Sequence, residues 1–132
     1  MREIKFRGRV PDKGWLYGDL RHIGNNLIYI VDKFGHGSSV NPNTVGQFTG
    51  LLDTAQKEIY EGDIVKVVDD GEESLHVVKY MVEEDYPAFD LDPVLNDGEC
   101  NSLSYCLNDL DTRITVIGNI HDNPELLRLT KK

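Results

Sequence analysis

Long apolar runs are missing from this sequence. No stretch approaches the roughly 20 residues that a membrane-spanning helix needs. The segment Met1–Arg7 alternates charged with apolar residues and lacks the apolar centre of a signal peptide. We therefore expect a protein that stays in the cytoplasm and does not enter a membrane.

Cysteine is also scarce, with only Cys100 and Cys106 in 132 residues. Their spacing matches no common zinc or redox motif. Spacing alone allows a short-range disulfide, but without an export signal two reduced thiols are favoured. Cys106 has no neighbour in the sequence that would activate it as a nucleophile.

Positively charged residues are outnumbered: the chain has 14 Lys and Arg and 23 Asp and Glu, for a net charge of −9. The imbalance is concentrated in residues 53–99, whereas basic side chains gather near the N-terminus. Because an acidic surface repels phosphate backbones, the composition disfavours non-specific nucleic-acid binding. A local patch of four cations could still hold an anion: Arg2, Lys5, Arg7 and Arg9.

Short strands separated by turn residues account for most of the remaining pattern. A hairpin is predicted over residues 4–20, because Pro11 to Gly14 supplies turn chemistry between alternating segments. Further strands are expected at 27–31, 44–49, 64–68, 75–82, 88–91, 103–107 and 113–120. Residues 32–43 are predicted to be a loop, and 50–57 a connection with weak helical character. A short helix is expected from Pro124, with Asn123 as its cap.

Seven or more short strands predict a mainly β protein, either a small antiparallel barrel or a sandwich. The length of 132 residues fits one domain, which we expect to span 1–132. Residues 83–111 are predicted to be its acidic, loop-rich part.

Three blocks of the sequence resemble the YopX family of bacteriophage and prophage proteins. Met1–Arg7 with Trp15–Leu20 resembles the family's opening, and Val45–Leu51 with Glu58–Val65 resembles its central motif. Val116–Leu127 resembles its closing motif. The blocks follow the family order and span nearly the whole chain. Residues 83–111 match no block, so we expect that part to vary.

The resemblance implies a β-rich fold related to SH3-like barrels, with extra strands and a short C-terminal helix. It further implies a phage or prophage origin, residence in a bacterial host cell, and self-assembly into a homo-oligomer. It implies no activity, so no catalytic residue is transferred from the family to this chain.

Glu58, Glu61 and Asp63 form the most suggestive carboxylate group. Such carboxylates could serve as acid and base or bind a divalent cation. A structural role is favoured, because Asp63 follows Gly62 in a turn pattern and aspartate commonly accepts turn amides. We leave open whether the three carboxylates bind a cation.

Other candidate sites are weaker. An acidic run lacks the spacing and central glycine of a calcium-binding loop and is expected to be solvated: Asp85, Asp90, Asp92, Asp97 and Glu99. The four histidines are scattered, which disfavours zinc: His22, His36, His76 and His121. The segment Gly46–Gly50 lacks the lysine and helix of a phosphate-binding loop.

Aromatic residues could form a platform for stacking nucleic-acid bases, but core positions are favoured for them. They are Trp15, Tyr17, Tyr29, Phe48, Tyr60, Tyr80, Tyr86, Phe89 and Tyr105.

We therefore assign no catalytic, metal or cofactor residue, and expect an accessory protein that is not an enzyme and that binds an unknown host or phage protein. Two alternatives remain. One is a nucleic-acid-associated barrel, or an acidic mimic of DNA that inhibits a host DNA-binding protein. The other, ranked last, is a metal-assisted enzyme.

Overall fold

The computed structural model describes residues 3–24, 27–81, 88–93, 102–109 and 111–129. Its strands form two antiparallel sheets, which confirms the prediction of a mainly β fold. Contacts within the chain define two compact units, 1–50 and 51–132. The single domain expected over 1–132 stays a prediction. None of the described helices is long and apolar enough to cross a membrane.

Unit 1 is a meander followed by one long strand. Its strands are β1 (Phe6–Val10), β2 (Gly14–His22), β3 (Ile28–Val31), β4 (Gly37–Ser39) and β5 (Asn41–Leu52). They lie in the order β4-β3-β2-β1-β5. The hairpin predicted over 4–20 is present, with Arg9 opposite Trp15. β5 begins at Asn41, within the predicted loop, and continues into unit 2.

The tightly packed side of unit 1 contains Ile30 and Val40, both buried. Gly8 lies directly against Val40, since a Cβ atom at Gly8 would sit 2.7 Å from Val40 Cγ2. Arg7, on the opposite side of β1, is only 6% exposed, and its guanidinium lies 4.7 Å from the Trp15 ring centre. The cation is therefore held by stacking on an aromatic ring.

Unit 2 contains a four-stranded sheet of order β10-β7-β8-β9. The strands of this sheet are β7 (Asp63–Asp69), β8 (Glu72–Tyr80), β9 (Phe89–Asp92) and β10 (Thr112–Asn119). A further short strand of unit 2, β6 (Glu58–Tyr60), precedes β7 and is not part of this sheet. One α-helix, α1 (Ser102–Asn108), precedes β10, and a 3-10 helix (Pro124–Leu129) follows it. The short C-terminal helix is thus confirmed.

Apolar side chains from every layer of unit 2 meet in one core. The core comprises Ile59, Val65, Val67, Val78, Leu91, Leu103, Cys106, Ile114 and Val116. β7 contributes Ile64 on one face and Val65 and Val67 on the other, all fully buried. This explains its largely apolar sequence, in which Lys66 is the one charged residue between Ile64 and Val68, because a strand buried on both faces needs little polar alternation.

Three local predictions were wrong. Part of the loop predicted over 32–43 forms β4 and the start of β5. Residues 103–107 form part of α1 and not a strand, because Leu103, Cys106 and Leu107 share one helical face that packs on the core. The segment 50–57 has no helix: β5 runs to Leu52, and a turn over 53–57 leads to β6.

The buried carboxylate of Asp53 organises that turn. Its Oδ1 accepts the amides of Ala55 at 2.9 Å and Lys57 at 2.8 Å, and its Oδ2 accepts the Val116 amide at 2.9 Å. Thr54 adds two bonds to Ile114: its amide donates to the Ile114 carbonyl, and its Oγ1 accepts the Ile114 amide, both at 2.9 Å. The turn therefore satisfies the outer edge of β10, which would otherwise be unpaired.

Asp53→Ala should lower the free energy of unfolding by about 3 kcal/mol, because three amides, one of them on a buried strand, lose a charged acceptor. Urea denaturation followed by circular dichroism measures the change. Glu72→Ala, at the exposed β7–β8 hairpin, is the control and should stay within about 0.5 kcal/mol of the parent protein. Equal effects of the two substitutions would contradict the role given to Asp53.

Candidate functional site

The carboxylates Glu58, Glu61 and Asp63 lie around the turn that joins β6 to β7. Asp63 is buried, and its Oδ2 accepts the Tyr60 amide at 2.7 Å. The Tyr60 hydroxyl donates to Glu58 Oε1 at 3.1 Å. Gly62 has a φ of +92°, which a glycine adopts readily. This geometry fits the structural interpretation of Asp63.

The acidic run is only partly within the described residues, since Asp85, Asp97 and Glu99 lie outside them. Asp90 is fully buried, and its Oδ1 accepts the amides of Leu91 at 2.8 Å and Leu103 at 2.9 Å. Asp90 thereby joins β9 to the start of α1, and the prediction that it is solvated was wrong. Asp92 is exposed, with Oδ2 3.9 Å from Lys79 Nζ.

Cys106 is a free, buried thiol on the core face of α1. Burial, together with the smaller effect of the negative charges of Asp69, Asp90 and Asp109, raises its pKa to about 11. The thiol is therefore protonated at neutral pH and is a poor nucleophile. Cys100 lies outside the described residues.

His76 is the most deeply buried of the four histidines. Its ring bonds to the Ser74 hydroxyl through Nε2 at 2.7 Å and to the Pro93 carbonyl through Nδ1. Since a carbonyl only accepts, Nδ1 donates, and Nε2 of the neutral ring accepts from Ser74. Burial lowers the pKa of His76, while the Pro93 carbonyl and Asp92 oppose that shift. No group of His, Cys, Asp and Glu within the described residues is arranged to hold a metal ion.

The lowered pKa of His76 has a stability consequence. Below its ordinary pKa of 6.5 the unfolded chain takes up a proton that the folded chain resists, so stability falls as pH falls through 6.5. His76→Gln should remove this pH-dependent part of the free energy of unfolding, which changes by at most about 1.4 kcal/mol per pH unit. Denaturation midpoints between pH 7.5 and 5 measure it. His36→Gln, at an exposed site, should retain the parent profile, and an unchanged profile in His76→Gln would contradict the assignment.

The cations of the predicted basic patch lie in different environments. Arg7 is buried against Trp15, whereas Lys5 Nζ lies 5.2 Å from the Phe48 ring centre and 3.6 Å from Glu3 Oε1. Arg9 is exposed, and Arg2 lies outside the described residues. Two of these cations, Lys5 and Arg7, thus stack on aromatic rings, and Arg7 is withdrawn from the surface.

A cleft of about 370 Å³ opens in unit 1, and sequence reasoning did not identify it. Its lining comprises Glu3, Lys5, Tyr17, Gly18, Asp19, Val31, Asp32, Lys33 and Phe34. Phe34 is 73% exposed and Tyr17 is 45% exposed. The cleft thus combines two exposed aromatic rings with charged side chains, and both kinds of group can contact a bound partner.

The fold holds the base and rim of this cleft in place. Asp32 Oδ1 accepts the amides of Phe34 and His36, both at 2.9 Å, which fixes the β3–β4 turn. At the base, a Cβ atom at Gly18 would lie 2.0 Å from the Val31 carbonyl oxygen. Only glycine therefore allows β2 to approach β3 here.

A second cleft, of about 380 Å³, lies in unit 2 beside the 53–57 turn and the start of β10. Its polar groups are largely used by the fold. Asp53 and Thr54 bond to β10, and Thr112 Oγ1 donates to Asp109 Oδ2 at 2.7 Å. The unit 1 cleft is therefore the better candidate.

The prediction that the aromatic residues occupy core positions was partly right. Phe48 and Tyr60 are buried, and Tyr80 packs edge-on against Phe89 with ring centres 5.1 Å apart. Tyr17 instead faces the cleft. Phe34 was not among the candidates, although an aromatic residue between Lys33 and Gly35 in a polar turn was a usable signal. Tyr86 lies outside the described residues.

Comparison with known proteins gives a family and a similar fold among solved structures. A family model described as YopX protein matches residues 19–128. The crystal structure of protein EF1440 from Enterococcus faecalis is similar, with a TM-score of 0.59 and 25% sequence identity. The similarity covers 96% of this chain and 99% of that chain. No curated protein matches the sequence.

Proposed function

This chain belongs to the YopX family, and on that premise we propose that it is a phage- or prophage-encoded accessory protein that binds another protein without catalysis. It works in the cytoplasm of a bacterial host, on a barrel of SH3-like type, and assembles with copies of itself. Its partner is a host or phage protein.

The exposed aromatic cleft of unit 1 carries this proposal. Phe34 leaves most of its ring in water, at the rim of a concavity shared with Tyr17. Aromatic side chains that enter or line pockets supply much of the energy of protein–protein interfaces. A Phe held outward by a turn is therefore a suitable anchor for a partner chain.

The titratable groups of unit 2 support a non-catalytic role. Asp53, Asp63 and Asp90 are buried and accept backbone amides. Cys106 is protonated at neutral pH because its pKa is raised to about 11. These groups stabilise the fold and are poorly suited to act as acid, base or nucleophile.

Self-assembly is supported by the edge strand β4. Within the described residues β4 pairs only with β3. In an antiparallel pair, every second residue directs its backbone groups at the partner strand. Ser38, opposite Ile30, is such a residue, and so is Val40 just beyond β4, whose amide donates to the Ile28 carbonyl at 3.0 Å. The backbone groups of Gly37 and Ser39 consequently point outward. An open edge of small residues can pair with a strand of another copy.

The alternative of nucleic-acid binding through the N-terminal cations is less well supported. It would need Arg7 on the surface, but the Arg7 guanidinium lies against Trp15. The net charge of −9 also opposes a polyanion. Mimicry of DNA by the acidic 53–99 region stays an alternative, and a metal-assisted reaction at Glu58, Glu61 and Asp63 remains the least favoured.

Ser39→Pro should reduce self-assembly, because proline removes the outward amide of Ser39 and leaves the bonds between β4 and β3 intact. Light scattering on the purified protein should give a multiple of 15.0 kDa for the parent chain and a smaller multiple for the variant. Ser39→Ala keeps the amide and should assemble normally. A parent protein that scatters as a monomer would contradict self-assembly.

Phe34→Ser should abolish partner capture from an extract of a lysogenic host, measured by quantitative mass spectrometry against the parent protein. Ile23→Ser is the matched control, because Ile23 is similarly apolar and exposed in unit 1 but lies outside the cleft. The control should retain the partner. Equal capture by both variants, or a turnover activity that persists in Phe34→Ser, would refute the proposed role of the cleft.

A further inference from the structure

We propose that the unit 1 cleft receives the cationic side chain of a lysine or arginine from a basic segment of the partner. This inference rests on the proposed function and adds the chemistry of the ligand. The binding groups are the rings of Phe34 and Tyr17 together with the carboxylate of Asp19.

Three aromatic rings of unit 1 already stack against cationic side chains of the chain itself. Lys33 Nζ lies 5.3 Å from the Phe34 ring centre, at the cleft itself. Lys5 Nζ and the Arg7 guanidinium stack in the same way on Phe48 and Trp15. All three distances fall within the range of about 6 Å over which a ring attracts a cation. Lys33 thus shows where the ammonium of a ligand would lie.

Asp19 supplies the counter-charge. It is exposed on β2, two residues from Tyr17 and therefore on the same face of the sheet. Its side chain makes no hydrogen bond or ion pair with the residues that the structure describes. The other acids are engaged, since Asp32 Oδ1 accepts two turn amides and Glu3 lies 3.6 Å from Lys5.

Charge complementarity favours a basic ligand over an acidic one. The cleft is lined by three acids and two lysines, and one of the lysines is paired with Glu3. The whole chain carries a net charge of −9, which attracts a basic segment over a distance. The same field opposes nucleic acid and acidic peptides.

The size of the cleft is also suitable. A volume of about 370 Å³ lies in the range of pockets that enclose small ligands, so one extended side chain with its neighbouring backbone fits. The base is fixed by Gly18, whose Cα approaches β3 without a side chain between them. The base of the cleft is therefore preformed, and the Lys33 side chain is the group that a bound cation displaces from the Phe34 ring.

Fluorescence anisotropy of labelled decapeptides tests the inference. Three peptides alternate glycine with arginine, lysine or glutamate, and a ten-nucleotide thymidine oligomer serves as the nucleic-acid probe. The arginine and lysine peptides should bind the full chain, and the other two probes should not. Preferred binding of the glutamate peptide or of the oligomer would overturn the inference.

Asp19→Asn should weaken binding of the arginine peptide about tenfold. Asp12→Asn is the matched control, because it removes the same charge from an exposed turn outside the cleft, and asparagine tolerates the positive φ of 66° there. The control should keep the parent affinity. An equal loss in both variants would show a general charge effect and overturn the site.

Two further variants distinguish the cation site from a merely apolar surface. Phe34→Leu keeps apolar bulk but loses the ring, and should weaken binding severalfold. Lys33→Met removes the resident ammonium and should strengthen binding. Unfolding midpoints of all variants establish that they are folded. If Phe34→Ser loses the captured partner while no basic peptide binds, the ligand chemistry is refuted and the protein-binding function stands.

Discussion

The structure of unit 2 depends on satisfying backbone amides at turns and strand edges with buried carboxylates. An amide buried without a partner costs as much as a lost hydrogen bond or more. Asp53 accepts three amides at once: the buried amide of Val116 on β10 and two partly buried amides within its own turn. Without it, the outer edge of β10 would lose the acceptor at Val116, and the turn would lose the bonds that set its shape.

Asp63 and Asp90 apply the same principle elsewhere. Asp63 accepts the Tyr60 amide where β6 turns into β7, and Asp90 accepts the Leu103 amide at the start of α1. The first turn of a helix has free amides and favours a negative charge, so Asp90 stabilises a helix of only seven residues. These buried acids, which could suggest an active site, are thus largely engaged in hydrogen bonds that stabilise the fold of this unit.

The hydrogen bonds between residues close in sequence could be predicted from the sequence, and those between distant residues could not. Asp63 lies three residues from its amide partner, so the turn pattern was enough to predict its role. Asp53 and Val116 are 63 residues apart, and no local pattern encodes that contact. Alternation and turn residues likewise predicted most strands. The segment 103–107 was misassigned because five residues are too few to separate a strand from a helical face.

The same reasoning separates the proposed binding surface from the groups that stabilise the fold. Groups that the fold uses are poor candidates for function, because changing them alters stability first. Phe34 and Asp19 differ from the buried acids in this respect: the Phe34 ring is mostly in water, and the fold uses only the backbone of its turn, which Asp32 secures. A turn stabilised through its own amides holds an exposed ring without burying it. That division would let the cleft bind the proposed partner at little cost to stability.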